Sequence, residues 1–229
     1  MSLGIDGSNY VRTFKRKMIR GVKMSLVVIL NNQQDMVVAT DKRIIHTENE
    51  IVTYVDDNSK KIFITPQNYV VTFCGDISNE YFSIPDLLRD FVTKTTKDIS
   101  IEVYINTLRD FVNNFFVQQK LVPLNAKIQV SGINNYPITK EIDLENMKII
   151  DYNRQFILCG SVDAANEEVK KICNSPEYKN GELNMTISYM ETLARDLIKI
   201  SSQREVGKYG VCPISQNCDI VRIQKVDRI

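Results

Sequence analysis

Four residues in the first third of the chain have types and spacing that suit chemistry: Ser25, Asp41, Lys61 and Gly75. Asp41 ends an apolar run and Lys61 begins one, and both are unusual places for a charge. A carboxylate and an ammonium so placed suggest a pair held inside the protein, structural or catalytic. Gly75 follows the apolar run 69–74, where the absence of a Cβ lets a backbone N–H approach a ligand closely. Ser25 opens a strand-like segment and directly follows Met24, which makes it either an ordinary strand residue or the first residue of the working protein.

Other chemistries are poorly supplied. The chain lacks GxSxG, the P-loop pattern, HExxH and GxGxxG. His46 is the single histidine, so a Ser-His-Asp triad would rest on one residue and a histidine-rich metal site is excluded. Cys74, Cys159, Cys173, Cys212 and Cys218 are odd in number and have no CxxC spacing, the pattern of reduced thiols in a cytoplasmic protein. We expect no metal and no cofactor. The net charge of +1 gives no reason to expect nucleic acid or an anionic membrane as partner. No apolar run reaches membrane-spanning length.

The positioning elements follow from periodicity. Residues 25–30 and 36–40 read as strands around a polar turn, and 61–65 and 69–73 as a second pair around Pro66-Gln67-Asn68. Residues 44–55 read as a looser strand or loop. Ile84, Leu87, Leu88, Phe91 and Val92 mark one amphipathic helix. Ile101, Ile105, Leu108, Phe111, Val112, Phe115 and Phe116 mark a second, with Ser100 as its N-cap. Strands are expected at 127–130, 138–143, 148–152, 156–159 and 219–224, and helices at 164–173 and 183–201. Strands grouped apart from helix pairs predict an α+β fold. A four-layer αββα sandwich, two stacked antiparallel sheets flanked by helix pairs, accommodates this order. The domain reading is a basic extension over residues 1–24 and a single domain over 25–229. Arg12, Lys15, Arg16, Lys17, Arg20 and Lys23 in the extension face the lone acid Asp6.

On these residues the chain resembles the proteasome β-subunits and their bacterial proteasome-like relatives, which are N-terminal nucleophile hydrolases. Val37-Val38-Ala39-Thr40-Asp41-Lys42-Arg43 is similar to the family's apolar-apolar-Ala-x-Asp-x-Arg, and the family spacing back from Asp41 reaches Ser25. Lys61-Ile62-Phe63-Ile64, Cys74-Gly75, Gly160-Ser161 and the closing strand from Cys218 resemble the later motifs in order. Serine stands where threonine is usual, and Asp41 to Lys61 is about four residues longer than common. Glu205 stands where the family has Asp, and Lys208 where it has Ser.

The resemblance implies Ser25 as nucleophile, Lys61 and Asp41 as the pair that activates it, and Gly75 N–H as oxyanion donor. Ser161 and Glu205 would support the α-amine, while Phe73 and Ile77 would line a pocket favouring apolar or small side chains. It also implies self-association into a ring or stacked rings, peptide or unfolded-protein substrates, and a possible unfoldase partner. The alternatives are a non-catalytic subunit of such an assembly and an amidohydrolase of the same superfamily acting on a small amide. The chemistry requires a free amine at Ser25. Met24 is therefore read as an initiator removed from the working protein, as the end of a propeptide, or as part of a permanent extension on an inactive subunit. Arg20-Gly21-Val22-Lys23 can be encoded as a purine-rich ribosome-binding sequence ahead of the Met24 codon.

Overall fold

The computed structural model describes residues 20–21, 25–48, 51–78, 82–95, 99–178, 183–204 and 212–224. Met24, Glu205 and Lys208 lie outside them, as does most of the basic segment. The fold is α+β, with helices and antiparallel sheets.

In chain order, β1 is Arg20–Gly21, β2 Leu26–Asn31, β3 Met36–Asp41, β4 Ile44–Glu48, β5 Ile51–Asp56, β6 Ile62–Ile64 and β7 Val70–Gly75. Helices α1 (Ile84–Lys94) and α2 (Ile101–Gln119) follow, then β8 (Ala126–Asn134), β9 (Tyr136–Asp143), β10 (Lys148–Tyr152) and β11 (Phe156–Gly160). The chain closes with α3 (Asp163–Cys173), α4 (Ile187–Arg204) and β12 (Cys218–Ile223). The strands form a four-stranded sheet β11-β2-β3-β12, a five-stranded sheet β10-β9-β8-β7-β6 and a small sheet β1-β4-β5.

Strands β2 and β3 are continuous apolar runs because both of their faces are buried. One apolar cluster joins the five-stranded sheet to α1 and α2 through residues such as Phe73, Val71, Leu88 and Leu108. A second joins β2 and β3 to α3 and α4 through Val28, Val37, Ala165 and Leu197. A third takes side chains from both larger sheets: Val27, Ile29 and Val38 from one, Ile62, Val70 and Cys74 from the other.

Three boundaries differ from the periodicity. Residues 44–55 hold a hairpin, β4–β5, whose register shifts between His46 and Thr47. A bulge breaks the period of two, which is why the sequence pattern there looks loose. Strand β8 runs on to Asn134 and turns into β9 through Asn135 in the left-handed region. Helix α4 starts at Ile187 rather than at 183, because Thr186 Oγ1 caps Tyr189 N–H while Gln155 ties the backbone of Leu183 from both sides. Ser100 and Ser83 accept N–H bonds as N-caps of α2 and α1.

Candidate functional site

Ser25 precedes the first residue of β2, and Asp41 is the last residue of β3. The antiparallel pairing of these strands sets Val27 opposite Thr40, which brings the start of one to the end of the other. Asp41 Oδ1 accepts the N–H of Leu26 at 2.7 Å, so the carboxylate grips the residue next to Ser25. Asp41 Oδ2 accepts Arg43 N–H at 2.8 Å and Ser215 N–H at 3.4 Å. Lys61 Nζ donates to both carboxylate oxygens, at 3.0 and 3.1 Å, and to the carbonyl of Arg43. Both side chains are at 0% exposure.

A buried ammonium is costly unless paired and hydrogen-bonded, and Lys61 spends its donors on three acceptors around one carboxylate. Burial pushes the Lys61 pKa down, while Asp41 pulls it back up. The preceding Lys60 is exposed, its ammonium above the Phe63 ring, as strand alternation requires.

A second clamp comes from β11. Ser161 N–H donates to the Ser25 carbonyl at 3.0 Å. Gly160 has φ +98°, and a Cβ there would sit 1.7 Å from the Ser25 carbonyl oxygen, so only glycine lets the strand end pass so close. Gly75 has φ +99°, and a Cβ there would lie 2.5 Å from the carbonyl oxygen of Asn125. Ser25, Gly75, Ser161, Cys74 and Cys159 line one cavity of about 350 Å³.

The structure thus brings Ser25, Asp41, Lys61, Gly75 and Ser161 together. Phe73 and Ile77 are not with them: both are buried in the cluster under α1 and α2, Phe73 on the face of β7 opposite Cys74 and Ile77 in the segment after that strand. Successive strand side chains alternate in direction, so Phe73 turns away from the cavity that Cys74 lines. They do not line the cavity beside Ser25.

Several residues escape a reading by motif. Among the described residues, the segment after α4 that reaches the site is Cys212–Asn217. Its Ser215 N–H touches Asp41, and its Cys212 carbonyl accepts Arg43 Nη1 at 2.9 Å. Arg43 also holds Asp57 through two parallel bonds of 2.6 and 2.7 Å, which keeps the Asp57 carboxyl below its ordinary pKa and raises that of Arg43. The Arg43 signal was present in the Asp-x-Arg motif; Asp57 and Ser215 carry no local mark. Glu141, at 0% exposure, accepts from Lys127, Gln129, Tyr152 and Cys159 at the rim of the cavity. A buried acid in a strand was its only clue.

Among the described residues no group of three or more His, Cys, Asp or Glu side chains forms a metal site, and no helix is long and apolar enough to cross a membrane. A scan against protein-family models finds no match to the chain, and a search of curated proteins finds none either.

Proposed function

We propose that the protein is a proteasome-like N-terminal nucleophile peptidase in which Ser25, once its amine is free, attacks a peptide carbonyl. The observation that carries this reading is the fully buried Lys61–Asp41 pair, whose carboxylate accepts the N–H of Leu26, the residue after a Ser25 that itself lines a cavity. An ion pair with no exposure is not needed to fold a strand end, and replacement of such pairs by apolar groups is often stabilising.

In the proposed reaction the Ser25 hydroxyl adds to the carbonyl and its own α-amine takes the proton. A free α-amine titrates at about 7.7–8, which suits a base near neutrality without histidine. Lys61 as a cation favours the neutral amine and the developing alkoxide. Gly75 N–H is assigned to the oxyanion, a contribution of about 2.7–4 kcal/mol in comparable sites. The protonated α-amine then gives that proton to the departing peptide nitrogen as the C–N bond breaks, leaving the acyl group on Ser25. Water, deprotonated by the same amine, next adds to the acyl carbon, and the proton returns to the Ser25 oxygen as the ester bond breaks. An amide nitrogen is not a base, so a chain with Met24 still attached is inactive by this route.

The layer order we propose is αββα, since one apolar cluster joins both sheets and two others join each sheet to a helix pair. We also assign it self-association into rings, unfolded or short peptides as substrates, an unfoldase as possible partner and a cytoplasmic site of action. The rings, substrates and unfoldase rest on the resemblance alone, and the cytoplasmic site on the unpatterned cysteines.

The test is the mass of the natively expressed protein together with peptide hydrolysis by wild type and Ser25→Ala. We expect a mature chain that begins at Ser25, cleaves peptides, and loses at least about 10³-fold in rate on substitution. Hydrolysis that survives Ser25→Ala would refute the assignment.

A further inference from the structure

Lys127 is the one charged residue lining the cavity beside Ser25, among the described residues. It stands on β8 two positions before Gln129 and donates to Glu141 Oε1 at 2.8 Å. Its side chain is 43% exposed, whereas that of Glu141 is 0% exposed. Glu141 also accepts from Gln129 Nε2 at 3.0 Å, Tyr152 OH at 3.2 Å and Cys159 Sγ at 3.1 Å, and Tyr152 and Cys159 line the cavity with Lys127. A molecule entering the cavity therefore meets the ammonium, with the balancing carboxylate sealed behind it. An ammonium carries three donors, and Glu141 is the one acceptor recorded for Lys127 among the described residues. The hydrogen bond to Glu141 raises the Lys127 pKa, so the charge is present across the working pH range.

The remaining wall combines Leu158 and Val162 with the polar Asn125 and Ser161. At about 350 Å³ the space lies at the small end of ligand pockets, which run about 300–1,000 Å³. An apolar stem ending in a negative group fits this lining better than the uniformly apolar side chain expected from Phe73 and Ile77.

We propose that Lys127 is the specificity-determining residue of this cavity, and that the cavity takes a peptide carboxylate, either an acidic side chain or a free C-terminus. That the ligand is a substrate rests on the peptidase reading; the binding preference does not.

Three probes separate the sources: N-acetylglutamate α-amide carries a side-chain carboxylate, N-acetylglutamine an α-carboxylate, and N-acetylglutamine amide neither. Their affinities for the natively expressed protein are measured by ligand-observed NMR titration. We expect at least one charged probe to bind tenfold or more tighter than the neutral one, and the tighter of the two identifies the source. Lys127→Met should erase the difference, Lys127→Arg should keep it, and Glu141→Gln should strengthen it by freeing the ammonium. Should Lys127→Met fail to fold around an unpaired Glu141, the same change in a Glu141→Gln background takes its place. Equal binding of all three probes by wild type, or a preference that survives Lys127→Met, overturns the proposal. A protein that prefers a charged probe but cleaves no peptide would sink the peptidase reading while the anion site stands.

Discussion

Asp41 and Lys61 are the residues on which the site depends most, and their burial makes the claim measurable. Asp41→Asn leaves Lys61 as a buried cation without its counter-ion, and Lys61→Met leaves the reverse. Each should cost about 3–5 kcal/mol in urea unfolding. Together they should cost clearly less than the sum, because the double variant has no uncompensated charge. Additive effects would mean that the two groups do not act as a pair. Ser161 makes a useful contrast: its recorded bond to Ser25 runs through its backbone N–H, which Ser161→Ala retains. That change should move stability by less than about 0.5 kcal/mol, so any larger loss of activity would point to the hydroxyl itself. Asp41 and Lys61 were legible in the sequence because a charge at the edge of an apolar strand is anomalous wherever it occurs; Ser25 was reached through the family spacing back from Asp41. Ser215 and Glu141 were not, since the groups that make them matter arrive from distant strands and loops.

At the scale of elements, the ends of β2, β3, β7 and β11 do the positioning. Gly160→Ala would force a Cβ against the Ser25 carbonyl while holding an L residue at positive φ. A loss of about 1–3 kcal/mol is expected, seen as a lower Tm, with a fall in hydrolysis by the variant that still folds. An unchanged Tm would show that the end of β11 can yield. Ser100→Ala removes the N-cap of α2, far from the site, and should cost about 1 kcal/mol without affecting activity. The helices and the Ser100 cap of α2 could be read directly, because period 3.6 and an N-terminal serine are local signals. The bulged β4–β5 hairpin and the Thr186 start of α4 could not, because a register shift and a competing Gln155 contact override local propensity.

For the whole molecule, the buried polar groups set an alkaline limit. A hydrogen bond with Cys74, and after it burial, raises the Cys159 thiol well above its ordinary value of 9.0, and burial raises Tyr152 from 10.0 to about 12. Tyr104 is raised by burial as well. Each group keeps its proton in the folded state at a pH where the unfolded chain has released it. The unfolded state then binds fewer protons, so stability falls as pH rises. Lys61, whose pKa is lowered, acts in the opposite sense, but Tyr69, Lys127, Lys140 and Cys218 are raised as well and act with the other three. Unfolding free energy should therefore hold near neutrality and decline from about pH 9 upward, and Cys159→Ser should make that decline shallower, with Cys218 still contributing from the same pH. A flat profile through pH 11 would show that these protons are not retained.

The sequence by itself determined the helices, most strands and the α+β character, because each leaves a local trace in period or composition; it marked Asp41 and Lys61 as anomalous charges, and the structure shows them paired. Only the tertiary structure decided which side chains share the cavity. A strand's two faces differ by one residue, so Phe73 and Cys74 are neighbours in the chain and yet serve different cores. The same physics placed Glu141 behind Lys127 and Ser215 against Asp41: contacts between distant segments follow from how sheets and loops meet, which no local pattern encodes.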